Sequence, residues 1–144
     1  MKEAPLKGIK IIDASSILMV PYCTRLLADM GAEIIKVETL SGDNTRYIGP
    51  SINKGMAAVF LNINRNKKSI CVDLKSADGR LIIYKLIKKS DVFVSNIRKA
   101  SLEKLKLTHE QTIKSLANSG YDVTAPDPEL MELESPRFDN IPIG

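Results

Sequence analysis

The spacing of apolar residues switches between two periods along the first forty positions. Ile9, Ile11 and Ile12 form a β-branched run bounded by Gly8 and by the turn residues 13–16, the pattern of a buried strand. Pro21 suits the first helical position, where a missing N–H costs nothing, and Tyr22, Leu26, Leu27 and Met30 then share one helical face. Gly31 ends that helix, and a second β-branched run, residues 34–37, begins after only two residues. A helix followed by so short a return predicts a parallel βαβ unit.

The alternation recurs. Residues 69–74 read as a strand, Ser76 as the N-cap of a helix to Lys89 with Leu81, Ile82, Leu86 and Ile87 facing the core, and residues 91–95 as another strand. Residues 57–63 fit either a short strand or a turn of helix. Residues 39–55, rich in Gly, Ser, Asn and Pro, predict a long surface loop of a kind uncommon without a function. Within it Asp43 and Arg46 either pair with each other or occupy a solvated turn. Residues 101–107 read as a short helix, and Thr108 with Gln111 has the spacing of a capping box opening another, to about Ala117. From Ser119 onward Pro, Gly, Asp and Glu dominate and no strand pattern is evident. The expected fold class is therefore α/β, a Rossmann-like parallel sheet flanked by helices over residues 1–118, with an irregular acidic tail over 119–144.

The loop 15–20 follows the first strand and leads into a helix N-terminus, the place where open parallel sheets bind ligands and where free N–H groups favour anions. It holds neither GxGxxG nor a Walker sequence, so only a less specific phosphate or nucleotide site is implied. Charge supports an anionic ligand. The chain of 144 residues carries a formal +4, and residues 127–144 contribute −4 of it through five acids against Arg137, which leaves +8 on residues 1–126. Aromatic residues at 5%, without Trp, argue against stacking on single-stranded nucleic acid, so no nucleic-acid partner is expected. No apolar run approaches the ~20 residues that span a bilayer, and no basic-then-apolar leader opens the chain. The expectation is a cytoplasmic protein with no membrane partner. Cys23 and Cys71, without CxxC spacing or a nearby His, read as core thiols, with no metal site expected. His109, the single histidine, has no Ser, Cys or carboxylate near it in sequence and is not expected to act as a base.

Three ordered blocks carry a resemblance: PYCTRLLADMGAEIIKVE, then GDNTR at 42–46, then FLNINRNKKSICVDLKSADGR from Phe60. They resemble the amino-terminal portion of the family III CoA-transferases, from Pro5 to about Leu107, roughly seventy per cent of the chain. The resemblance implies coenzyme A or acyl-CoA as substrate, a free carboxylic acid as acceptor, and CoA lying over the carboxyl ends of the parallel strands. Carried over by position, it assigns Ser16, Ile17 and Leu18 to the adenosine and pantetheine portions, Val72 to packing on the ligand, Lys75 and Lys104 to phosphate, and Asn96 and Ile97 to the place of the family's Asn-Phe. The lysines, with Arg98, Lys99 and the Arg65, Lys67, Lys68 cluster, equally fit a solvated basic face unless several converge on one groove.

The chain also departs from the family pattern near that site. Val20 replaces the glycine before the helix proline, Thr39 replaces a basic residue, Lys99 and Ala100 replace a Pro-Gly turn, and Lys106 replaces the glycine of a Leu-Gly-Leu turn. Residues 119–126, SGYDVTAP, resemble the family's Ser-Gly-Tyr-Gly segment with the preceding strand shortened. On this alignment the family's nucleophilic aspartate has no counterpart, so no catalytic residue is assigned and the 144-residue chain is expected to be inactive alone. The alternative is a non-catalytic truncated paralogue that binds CoA, forms a homodimer or pairs with a full-length chain. A third reading, a fragment without a ligand, predicts no binding.

Overall fold

The computed structural model describes residues 3–120. Four strands form one sheet: β1 (Lys10–Ala14), β2 (Glu33–Glu38), β3 (Lys67–Cys71) and β4 (Val92–Ser95), in the order β3-β2-β1-β4 and parallel throughout. The expected parallel α/β architecture is the one observed. Five helices connect them: α1 (Met19–Asp29), α2 (Ala58–Ile63), α3 (Ala77–Ile87), α4 (Lys99–Leu105) and α5 (His109–Asn118), with a 3₁₀ turn at Asn44–Tyr47. The ambiguous stretch near residue 60 is thus helical. The tail expected over 119–144 lies outside the described residues from position 121.

Local chemistry accounts for the boundaries. Ser76 accepts a hydrogen bond from the Gly79 N–H at 2.9 Å and caps α3, and Thr108 and Gln111 form the reciprocal capping box that opens α5. Pro21 stands third in α1, still within the first turn, whose N–H groups have no helical partner to lose. Lys106 closes α4 in the left-handed region, φ 59° and ψ 35°, the conformation that glycine adopts most readily and the position at which the resembled family carries glycine. Beyond α5 only Ser119 and Gly120 follow among the described residues, so these supply no fifth strand beside β4.

The two faces of the sheet bury different residues. Ile12, Ala14, Val37 and Val72 meet Ile83 of α3 and Leu107 on one side, and Ile11, Ala28, Ala32 and Ile34 pack on the other. Helix α1 inserts Pro21, Thr24 and Ala28, and of the apolar face read from periodicity only Leu27 packs on the core: Tyr22, Leu26 and Met30 are 46%, 39% and 48% exposed. Small residues let the helix approach the sheet closely and turn its bulky stripe to solvent. In α3 Gly79 and Ile83 are buried and Leu86 and Ile87 pack against the core as expected, whereas Leu81 and Ile82 are exposed. Both cysteines are exposed free thiols rather than core residues.

Candidate functional site

Strands β1, β2 and β3 are added successively in one direction and β4 returns to the far side of β1, so the topological switch lies between β1 and β4. The carboxyl ends of parallel strands beside such a switch are where open α/β sheets hold ligands. A cleft of about 130 Å³ opens there, lined by residues from all four strand ends, among them Ser15, Ser16, Thr39, Asp43, Leu74 and Ile97.

Two loops meet at the cleft through one side chain. Asn96 accepts the Ser16 N–H on Oδ1 at 3.0 Å and donates from Nδ2 to the Ser16 carbonyl at 2.8 Å. Ile97 lines the cleft and donates its N–H to Ser95 Oγ at 3.1 Å. Ile17 and Leu18 are 50% and 49% exposed on the adjoining loop, Ile17 at φ 72° and Leu18 as the N-cap of α1. Val72 is 4% exposed and belongs to the core, its N–H donating to the Glu38 carbonyl at 2.9 Å. Lys75 is exposed one residue beyond the cleft-lining Leu74, and Lys104 is exposed in the last turn of α4; neither lines the cleft. The structure therefore gathers Ser16, Asn96 and Ile97 at the switch, with Ile17 and Leu18 beside them, and sets Val72, Lys75 and Lys104 apart.

Beneath the cleft lies a layer of buried charge that sequence reasoning missed. Asp13 and Lys36 face each other in register across β1 and β2. The Lys67 ammonium lies 3.0 Å from Asp13 Oδ2 and also donates to the Pro21 carbonyl and Asn64 Oδ1. Burial disfavours the Asp13 carboxylate, but hydrogen bonds from Ser15 and Thr24 and the charge of Lys67 outweigh it and hold its pKa below the ordinary value. Burial pushes the Lys67 pKa down against the pull of Asp13. Lys36 Nζ donates to the Ser15 carbonyl at 2.9 Å and lies 2.9 Å from Asp43 Oδ2, both side chains being 1% exposed. That second contact is ionic without hydrogen-bond alignment, so Asp43 Oδ2 accepts no hydrogen bond among the described residues. Asp43 Oδ1 takes the N–H and hydroxyl of Thr45. Glu38 is gripped by Arg46 through two contacts of 2.7 Å, and by Ser69 and the Asp43 N–H. Burial raises the pKa values of Glu38 and Asp43, and these bonds together with the neighbouring Arg46 and Lys36 cations bring both below the ordinary carboxylate range.

Asp43 and Arg46 thus neither pair with each other nor occupy a solvated turn; they form two crossed pairs, Lys36–Asp43 and Glu38–Arg46. The Arg65, Lys67, Lys68 cluster is likewise no single solvated face: Lys67 is buried against Asp13, while Arg65 and Lys68 reach Asp29 and Glu33. A usable signal was the charge inside the strand EIIKVE, because a lysine flanked by Ile and Val in a buried parallel strand needs a partner.

A family model described as CoA-transferase family III matches residues 6–115. The chain belongs to CoA-transferase family III. It is 41% identical over 140 positions to an acyl-CoA transferase of Fusarium pseudograminearum, covering 86% of this chain and 30% of the relative. Identity to the succinyl-CoA:glutarate CoA-transferase of Homo sapiens is 43% over 107 positions, 74% of this chain and 24% of that enzyme. A solved CAIB/BAIF family protein from Brucella suis superposes with a TM-score of 0.73 at 35% identity, over 78% of this chain and 31% of that one. This family III chain spans less than a third of the length of these relatives. No helix among its described residues is long and apolar enough to cross a membrane.

Proposed function

We propose that the chain is the CoA-holding amino-terminal lobe of a family III CoA-transferase, whose family reaction moves CoA from an acyl-CoA thioester to a free carboxylic acid through an enzyme-bound aspartyl anhydride. The observation that carries the reading is the pairing of loops 15–18 and 96–98 at the topological switch of a sheet whose sequence belongs to that family. Apolar Ala14, Val37, Leu74 and Ile97 give the cleft walls suited to a pantetheine arm. No lysine or arginine among the described residues lines it, so the phosphates would extend past its mouth; Lys75 follows the cleft-lining Leu74 in sequence.

Acyl transfer of this kind needs a carboxylate free to attack a thioester. The two carboxylates that the described residues bring to the cleft, Glu38 and Asp43, are each held against a cation. Residues 1–144 alone are accordingly proposed to bind CoA without turning it over. Isothermal titration of the purified chain with CoA tests the binding, and a thioester-exchange assay on the same sample tests the silence. Saturable heat without exchange supports the reading; no heat, or exchange above background, defeats it.

A second reading is favoured by the exposed stripe Met19, Tyr22, Leu26 and Met30 along α1. Contiguous apolar surface on a helix is what a second chain covers, and two curated relatives are named as alpha and beta subunits of a succinyl-CoA:L-malate CoA-transferase. Light scattering showing a mass that stays at one chain across concentrations would argue against self-pairing, and co-expression with a full-length family member tests the mixed pair.

A further inference from the structure

Three non-glycine residues among those described have positive φ: Ile17, Asn66 and Lys106. Only Ile17 is β-branched, and a branched Cβ in the left-handed region crowds the neighbouring carbonyl oxygen. Such a residue persists only where its surroundings over-determine it. Here the restraints converge from two strands, β4 and β2, and the segments that follow them. Asn96, following β4, holds both the N–H and the carbonyl of Ser16. Lys36 of β2 donates to the Ser15 carbonyl. Asp43, paired with Lys36 and anchored through Thr45, approaches the Ile17 N–H at 3.5 Å.

We infer that Asn96, Lys36 and Asp43 are positioning residues that clamp the 15–18 loop in a strained, ligand-ready conformation. The clamp presents Ile17, Leu18 and the first turn of α1, which no side chain caps, to the ligand before it arrives. Asn96 accordingly acts through Ser16, its amide holding both backbone groups of that residue. A loop fixed in advance loses less conformational freedom on binding, and the strain at Ile17 is compensated by affinity. The ligand half of the inference rests on the CoA reading proposed above; the clamp itself does not.

The test uses the full 144-residue chain, its Asn96→Ala and Ile17→Gly variants, and two readouts. In amide hydrogen exchange the Ser16 N–H is protected in the parent chain; Asn96→Ala raises its exchange rate roughly tenfold, the worth of about one hydrogen bond, while Ile11 and Ile12 in β1 keep their protection. In titration with CoA the same variant weakens affinity roughly tenfold. Ile17→Gly relieves the strain, so it raises the thermal midpoint while weakening CoA binding, an opposition that a purely structural loop does not show. Unchanged Ser16 exchange in Asn96→Ala overturns the clamp. Faster exchange with undiminished CoA affinity overturns its positioning role. If the parent chain protects Ser16 but binds no CoA, the functional reading and the ligand half fail together, and the exchange data establish the clamp alone.

Discussion

Replacing Arg46 by Met isolates one buried ion pair. The Glu38 side chain is wholly inaccessible and that of Arg46 is 21% exposed, with two guanidinium contacts of 2.7 Å and the guanidinium carbon 3.8 Å from the centre of the Phe60 ring. Arg46 Nη1 also donates to the Gly55 carbonyl at 3.2 Å, tying the long loop to the sheet. Met keeps most of the stem volume over Phe60 and removes only the charge and its donors. Removing one partner of a buried pair costs about 3–5 kcal/mol, because the other is left as an uncompensated charge. Ser69 and the Asp43 N–H still serve Glu38, which puts the expected loss at the lower end, about 3 kcal/mol. With a urea slope of about 2 kcal/mol per molar, the unfolding midpoint followed by circular dichroism at pH 7 drops by about 1.5 M. Adding Glu38→Gln removes the stranded charge, so the double variant recovers a good part of the loss. A drop of under about 0.3 M in the single variant, or a double variant as unstable as the two single losses summed, would refute the claim that Glu38 depends on Arg46.

Other perturbations read other parts of the structure. Asp13, Glu38 and Asp43 have folded pKa values below their reference values of 3.8, 4.5 and 3.8, so the stability they contribute is fully present above those values and is lost as pH falls through the folded ones. An unfolding midpoint that stays flat from pH 6 to pH 2 would contradict this. Gly79→Ala places a Cβ 1.9 Å from the Asp73 carbonyl oxygen, a backbone atom that cannot step aside, and should cost about 3 kcal/mol or more in urea unfolding. Lys106→Gly should stabilise the chain by up to about 1 kcal/mol, since Lys106 bears the left-handed cap at φ 59°; a lower thermal midpoint would count against that assignment. Thr108→Ala removes the acceptor of the α5 capping box and should cost about 1 kcal/mol by the same measurement.

The sequence alone determined the scaffold. β-Branched runs at 11–12 and 34–37, separated by a helix and a two-residue return, leave parallel pairing as the only geometry the chain can reach, and the caps at Ser76 and Thr108 set where helices start because they satisfy N–H groups a few residues away. The family was legible for a related reason: its blocks run through contiguous loops and strands. Tertiary structure decided what depends on distance across the fold. Periodicity marked α1 as amphipathic but could not say that Thr24 and Ala28 would touch the sheet while Tyr22, Leu26 and Met30 faced outward, because apolar spacing does not distinguish a core from an uncovered surface. Nor could spacing match Lys67 with Asp13, 54 positions away, or uncross Asp43 from Arg46. A buried charge takes whichever opposite charge the folded chain sets within about 3 Å of it, and only the register of β1, β2 and β3 fixes which one that is.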